Sequence, residues 1–196
     1  MSISHPYPSF TYSGESTSFR VRTANFEDLN QLADILVASF YTQAGWMCFV
    51  YPFLRLGIYE DLKHRLRSQP SRYTCYAVQP ITPVSLAESY VVGTVELSCR
   101  PSQLWPFSLA KYPYISNLAV HQQFRRRGVA YQLLQTCEQT ARSWGFQALY
   151  LHVMEDNQQA LQLYTKMGYR LKQAEWSPLA AAWGKPQRLL LYKILK

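Results

Sequence analysis

The stretch RRRGVA at residues 125–130 stands between an apolar run, YISNLAV at residues 114–120, and a strongly patterned helix. A strand, a glycine-containing loop and a helix start, in this order, form the arrangement that a pyrophosphate site requires. Glycine has no Cβ and lets the backbone approach a ligand, while the first N–H groups of the helix lack partners and point at it. The helix dipole and the three arginines add positive charge. The stretch therefore predicts a site for an anionic ligand.

A second motif, NQQALQLYTKMGY, lies downstream at residues 157–169. The pattern R-x-x-G-x-A of residues 125–130, followed by N-x-x-A-x-x-x-Y-x-x-x-G-Y, resembles the acetyl-CoA-binding signature of the GNAT superfamily of N-acetyltransferases. The resemblance is strong over residues 110–170. Outside this range it rests on the order of the strands and helices. Within the superfamily, YISNLAV and the sequence LHV of residues 151–153 are most similar to the cyanobacterial and plastid branch.

The resemblance and the order of elements indicate one α/β domain with the GNAT fold. That fold has a mixed, mostly antiparallel sheet of about seven strands, with two central splayed parallel strands, and four main helices. The 196 residues, 48% of them hydrophobic, are enough for one sizeable core. We expect residues 1–18 to be a flexible N-terminal tail and residues 19–196 to form the acetyltransferase domain.

Hydrophobic periodicity predicts the individual elements. Strands are expected at residues 19–22, 73–78, 90–98, 114–120, 148–153, 169–175 and 188–194. Helices are expected at residues 25–40, at 53–68 with Arg65 on the wetter side, at 127–144 and at 157–167. Residues 41–57 are rich in aromatic side chains without a single period, so we expect a loop that either contacts substrate or covers the core. The loops at residues 80–85 and 100–113 are further candidates for substrate contact.

Charge, cysteines and hydropathy limit the function classes. The formal net charge of +8 raises nucleic acid as a partner, but coenzyme A carries several phosphate charges and explains the arginine cluster by itself. The cysteines Cys48, Cys75, Cys99 and Cys137 are not spaced as zinc ligands or as a redox pair, so we expect them reduced and expect no metal. The sequence shows neither a membrane-spanning run nor a secretory signal. We expect a cytoplasmic protein of bacterial type, or a plastid stromal protein if the source is a photosynthetic eukaryote.

The resemblance implies how acetyl-CoA is bound. The pantetheine arm lies between the splayed strands, here residues 114–120 and 148–153, and pairs with their backbone. The N–H groups of residues 126–131 wrap the pyrophosphate, and Asn157 either caps its helix or bonds the pantetheine. The predicted ligand positions are Leu118, Ala119, Val120, Arg125, Arg126, Arg127, Gly128, Val129, Ala130, Tyr131, Asn157, Ala160 and Tyr164.

The resemblance makes Tyr164 the general acid that returns a proton to the coenzyme A thiolate. A phenol with a pKa near ~10 can donate to a thiolate whose pKa is near ~8.5. Many relatives place a glutamate base at the position of Tyr114, which is not a ready base near neutral pH. Glu96, on the neighbouring strand, is the nearest carboxylate and our candidate base, although an acid in an alternating strand can equally face solvent. His121 and His152 are alternatives, and each also fits a structural role.

These features predict an N-acetyltransferase that moves an acetyl group from acetyl-CoA to a primary amine by direct attack. The acceptor stays open among protein lysines, protein N-terminal amines and small arylalkylamines. The alternative is a non-catalytic acyl-CoA-binding or interaction protein that kept the fold and lost the base.

Overall fold

The computed structural model describes residues 18–40, 47–68, 70–81, 90–101, 111–175 and 186–195, without the side chains of residues 47–49. The strands are β1 (Ser18–Thr23), β2 (Tyr73–Ile81), β3 (Gly93–Pro101), β4 (Lys111–Val120), β5 (Ala148–Met154), β6 (Arg170–Glu175) and β7 (Arg188–Ile194). The helices are α1 (Leu29–Phe40), α2 (Met47–Ser68), α3 (Val129–Ser143) and α4 (Gln158–Lys166). The predicted tail lies outside the described residues, except Ser18, which begins β1.

The seven strands form one sheet in the order β1-β2-β3-β4-β5-β7-β6. Every neighbouring pair is antiparallel except β4 and β5, which are parallel. In the described part of the chain, β4 and β5 pair only at Tyr114 with Tyr150 and at Ile115 with Leu151. The predicted α/β fold, with two central parallel strands that splay apart and four helices, is confirmed.

A β-bulge explains why the two central strands separate. The register of β3 against β4 shifts between Thr94 and Glu96, and Asn117 on β4 adopts the left-handed conformation with φ 53°. A bulge bends its strand and increases its local twist, and asparagine tolerates this conformation better than most residues do. The bend begins just after Ile115, the last residue of β4 that pairs with β5. The remainder of β4 therefore presents an unpaired backbone edge toward β5.

Helices cover the two faces of the sheet, as amphipathic patterns require. The apolar stripe of α3 is buried against the sheet, and Trp144 just beyond the helix is half-buried; the buried members are Val129, Leu133, Leu134, Cys137 and Ala141. Helix α1 packs on β3 and β4 with a second core cluster, and α2 packs on α1. Asn25 caps the 3-10 turn that leads into α1 by a capping box with Asp28, and Gly145 ends α3 in the left-handed conformation.

Helix α2 departs from the prediction. It begins at Met47 and not at residue 53, so residues 47–57 are helical where we expected an aromatic loop; residues 41–46 lie outside the described part. Pro52 stands inside the helix and removes one backbone donor. Because proline disfavours a helix interior, the sequence does not predict a helix over residues 47–52. Arg65 was expected on the wetter side, but its guanidinium pairs with the buried Glu96 at 2.7 Å. Within the described ranges, no helix has the length and apolar character to span a membrane.

Candidate active site

An open cavity of about 980 Å³ lies where β4 and β5 separate. Its walls come from the second half of β4, from β5, from the loop and first turn of α3, and from α4. The predicted ligand positions that line it are Leu118, Ala119, Val120, Arg125, Arg126, Gly128, Val129, Ala130, Tyr131, Asn157, Ala160 and Tyr164. Arg127 does not line the cavity, and its guanidinium lies 5.5 Å from the centre of the Phe124 ring.

The loop before α3 forms one end of the cavity and suits an anion. Gly128 is the N-cap residue with φ 81°, and Arg126 is also left-handed with φ 63°. The first N–H groups of α3 have no partner within the helix, and the positive end of the helix dipole adds to their effect. Arg125 donates from Nε to the Val120 carbonyl at 3.1 Å, which holds the loop against the end of β4.

Gly128→Ala provides a test of this anion site, with Gly145→Ala as a matched control. Both glycines have positive φ, 81° and 85°, and a Cβ added at either position would meet no atom within 4 Å. Both changes therefore carry the same backbone strain, about 1–2 kcal/mol, and should lower the melting temperature similarly. We expect only Gly128→Ala to raise the Kd for acetyl-CoA, by about tenfold, in calorimetric titrations. Equal Kd values for the two variants would contradict the assignment.

Tyr164 lies on α4 and borders the cavity from the side of the main core. Its side chain is 6% exposed, and its ring packs edge-on against Tyr169 at 5.8 Å. Burial, with a smaller effect of nearby Tyr114, raises the pKa of Tyr164 above its usual value. The hydroxyl is therefore protonated at neutral pH. Asn157 caps α4, because its side chain accepts the Ala160 N–H at 3.1 Å.

A chain of hydrogen bonds reaches the cavity wall at His152, whereas Tyr114, which is buried, and Glu175 are not among the lining residues. The Tyr114 hydroxyl lies 2.8 Å from Nδ1 of His152, and Nε2 of His152 lies 2.7 Å from a carboxylate oxygen of Glu175. A carboxylate only accepts, so Nε2 carries the hydrogen and Nδ1 accepts the Tyr114 hydroxyl. His152 also lines the cavity. The position where the resemblance implies a glutamate base thus holds Tyr114, which is hydrogen-bonded to His152, and His152 is in turn hydrogen-bonded to Glu175.

The charge state of His152 follows from its surroundings. Burial and the nearby Arg188 lower its pKa below the usual value, and the hydrogen bond to Glu175 partly opposes them. The imidazole is therefore neutral at physiological pH and has a lone pair available at Nδ1.

Glu96 lies on β3 with its side chain buried, and it does not line the cavity. It is 1% exposed, pairs with Arg65, accepts from Asn117 at 2.7 Å and accepts from Tyr73 at 3.1 Å. Burial raises the pKa of Glu96, while Arg65, Asn117 and Tyr73 oppose that effect. Because Asn117 is the left-handed residue of the bulge, these contacts hold the bend in β4 that opens the cavity.

Comparisons with known proteins agree with this geometry. The family described as Acetyltransferase (GNAT) family matches residues 30–169, and the chain belongs to it. The chloroplastic GCN5-related N-acetyltransferase 10 of Arabidopsis thaliana is 31% identical over 153 residues, which are 74% of this chain and 59% of the relative. GCN5-related N-acetyltransferase 7, also chloroplastic and from Arabidopsis, is 39% identical over 82 residues, 42% of this chain and 30% of the relative. The chain thus spans only part of each, and the likeness to plastid proteins agrees with the sequence prediction.

Solved structures show the same fold. The PaiA N-acetyltransferase of Thermoplasma acidophilum, in complex with coenzyme A, has a TM-score of 0.65 at 18% identity and covers 90% of this chain and 99% of its own. Arabidopsis thaliana NAA60, in complex with a bisubstrate analogue, has a TM-score of 0.63 at 19% identity and covers 90% of this chain and 98% of its own. Family membership supports acetyl transfer in general and leaves the acceptor unspecified.

Proposed function

We propose that the chain is an N-acetyltransferase that moves an acetyl group from acetyl-CoA to a primary amine. The observation that carries the proposal is the order of features along one cavity. An anion site at the start of α3 leads past the unpaired edge of β4 to Tyr164 and His152. Coenzyme A has a pyrophosphate, an amide-rich pantetheine arm and a thioester in the same order.

The chain's residues divide the binding of acetyl-CoA between them. The N–H groups of residues 126–131 bind the pyrophosphate, with Gly128 permitting close approach and Arg125 and Arg126 supplying positive charge. The backbone of Leu118, Ala119 and Val120 pairs with the pantetheine amides as a neighbouring strand would. That pairing requires no particular side chain, and the three apolar side chains pack in or against the two core clusters.

Tyr164 acts as the general acid. As the amine nitrogen bonds to the acetyl carbon and the carbon–sulfur bond breaks, the electron pair of that bond goes to sulfur. The Tyr164 hydroxyl donates a hydrogen bond to the forming thiolate and gives it its proton. The second proton that the nitrogen loses as the amide forms then restores the Tyr164 hydroxyl. The raised pKa of Tyr164 favours this return of the proton, because a buried phenolate is a strong base.

His152 acts as the general base. The acceptor ammonium gives one proton to Nδ1 of His152, which lines the cavity, and the Tyr114 hydroxyl that was hydrogen-bonded to Nδ1 keeps its own proton. Tyr114 therefore never has to hold a negative charge, and Glu175 stabilises the imidazolium that forms. In this proposal Glu96, our candidate base from the sequence, positions β4 and does not handle the proton.

The pH dependence of activity should report His152. Its lowered pKa places the acid limb of kcat/KM below about pH 6.5, the ordinary histidine value. Glu175 raises that pKa, so Glu175→Gln should move the limb to still lower pH. Arg188 lowers it, so Arg188→Gln should move the limb to higher pH. Steady-state rates across the acid and neutral range measure both shifts, and movement of the two limbs in the same direction would contradict the arrangement.

The alternative is an acyl-CoA-binding protein without catalysis, which the tyrosine at position 114 favours. Release of the coenzyme A thiol from acetyl-CoA in the presence of a mixed amine panel separates the two. The panel contains peptides with free and with blocked N-termini, lysine peptides and arylalkylamines. Thiol release with at least one amine supports the enzyme, and binding of acetyl-CoA without release on any amine supports the alternative. The chloroplastic relatives support a plastid setting for this activity.

A further inference from the structure

Two arginines, Arg100 and Arg188, lie beside the Tyr114–His152 pair. We propose that they select the acceptor, favouring primary amines that carry a carboxylate close to the amino group. The inference rests on the acetyl transfer proposed above and names the acceptor class of that same site.

The amine approaches from the face that carries these arginines. Side chains of successive strand residues point to opposite faces, and Leu151 and Val153 of β5 pack in the core cluster that contains Tyr164. His152 therefore points to the other face, where it contacts Tyr114. Because the general acid lies on the core side of the cavity and the base on the other, the acceptor enters from the side of the base.

Arg188 has hydrogen-bond capacity left for a ligand. Its Nη2 lies 3.4 Å from the Tyr114 hydroxyl, and its Nη1 lies 3.5 Å from a carboxylate oxygen of Glu175. Both distances are at the long end of the hydrogen-bonding range, and a guanidinium has five N–H donors. The side chain is 47% exposed, so the remaining donors are accessible to an acceptor molecule.

Arg100 approaches the same tyrosine from another direction. Its guanidinium carbon lies 3.5 Å from the centre of the Tyr114 ring, a stacked cation–π contact. Stacking uses the face of the guanidinium and leaves the N–H groups on its edge, which are the groups that bind a carboxylate. Among the described residues, Arg100 has no hydrogen bond or ion pair with another side chain. The two arginines thus flank Tyr114, one over its ring and one at its hydroxyl.

The local charge balance favours an anionic substituent on the acceptor. Within the part of the chain that the structure describes, Glu175 is the acid that contacts His152 and Arg188, and its carboxylate is shared between them. Lys172 extends the positive surface, with its ammonium 4.6 Å from the centre of the Tyr150 ring. After burial, the charges of Arg188 and Arg100 lower the pKa of His152, which indicates that their field reaches the reaction centre. The same positive field disfavours the ammonium form of the acceptor and favours the neutral amine that attacks the thioester. An acceptor with an added positive charge is repelled by this field, so we expect it to bind poorly.

Two kinds of acceptor carry a carboxylate close to a primary amine: a peptide N-terminus followed by an acidic residue, and a free amino acid. One experimental arm uses amidated peptides that begin with Ser-Asp, Ser-Asn or Ser-Lys and are otherwise identical. The second arm uses free amino acids against their amides. The measurement is kcat/KM for each acceptor with the full chain at saturating acetyl-CoA. We expect the carboxylate-bearing member to exceed its neutral counterpart by about tenfold in at least one arm, with Ser-Lys the poorest peptide. The arm that shows the ratio identifies the source.

Variants test whether the two arginines cause the preference. Arg188→Gln and Arg100→Gln should each bring the acid-to-neutral ratio close to one. Arg142→Gln removes the same charge from the exposed end of α3 and should leave the ratio unchanged. Equal rates for acidic and neutral acceptors in both arms, or an unchanged ratio in both arginine variants, would overturn the inference while leaving acetyl transfer intact. Acetylation of another amine of the mixed panel, but of none of these acceptors, would overturn the inference alone. Acetylation of no amine in that panel would overturn the proposed function, and the inference with it.

Discussion

Tyr164→Phe should lower kcat for acetyl transfer by about a hundredfold, because general acid catalysis contributes about that much or more. The change removes one oxygen and keeps the ring in the core beside Tyr169. We therefore expect the melting temperature and the Kd for acetyl-CoA to change little. Steady-state kinetics with a saturating amine, together with calorimetric binding of acetyl-CoA, measure the two effects separately.

Tyr169→Phe is the matched control for this experiment. Its ring is the direct neighbour of Tyr164 and is buried, but it does not line the cavity. The control should keep the wild-type kcat. If Tyr164→Phe also kept it, another group would have to protonate the thiolate, and Tyr164 would be a packing residue.

His152→Gln should lower kcat by about a hundredfold and remove the acid limb of the pH–rate profile. Glutamine can accept the Tyr114 hydroxyl but cannot take up a proton near neutral pH, so the hydrogen bond survives and the base is lost. His121→Gln, just after β4 and outside the cavity wall, should keep both the rate and the acid limb of the pH–rate profile.

Glu96→Gln should lower the melting temperature, since it weakens the pairing with Arg65, and should keep the acid limb of the pH–rate profile. Loss of the limb in Glu96→Gln and its retention in His152→Gln would contradict the assignment.

Local patterns in the sequence predict much of the fold. Several features of the fold involve residues that are close together in sequence. They are the apolar stripe of α3, the glycine that ends α3, and the helix caps at Asn25 and Asn157. The loop at residues 125–130 is also local, because its glycine directly precedes the start of a helix. Features of this kind are visible without knowledge of the tertiary structure.

The contacts among Tyr114, His152 and Glu175 could not be found in the same way, although the sequence already offered His152 as an alternative base. Tyr114 and His152 are 38 residues apart, and His152 and Glu175 are 23 apart, so only the pairing of β4 with β5 and the course of β6 bring them together. Taken one at a time, Tyr114, His152 and Glu175 fit ordinary positions in a strand. A Tyr at the expected glutamate position together with a His on the parallel strand was the available signal. Arg65 was misplaced for a similar reason, since its partner Glu96 is on a strand of the sheet.

Acetyl transfer to an amine can be measured by mass spectrometry of the amine products formed from acetyl-CoA with an isotopically labelled acetyl group. We expect a labelled N-acetyl amide from at least one primary amine, with one coenzyme A thiol released for each label transferred. We also expect both products to decline together in Tyr164→Phe and in His152→Gln. Binding of acetyl-CoA at the cavity, with no labelled amide from any amine in the panel, would contradict acetyl transfer to an amine.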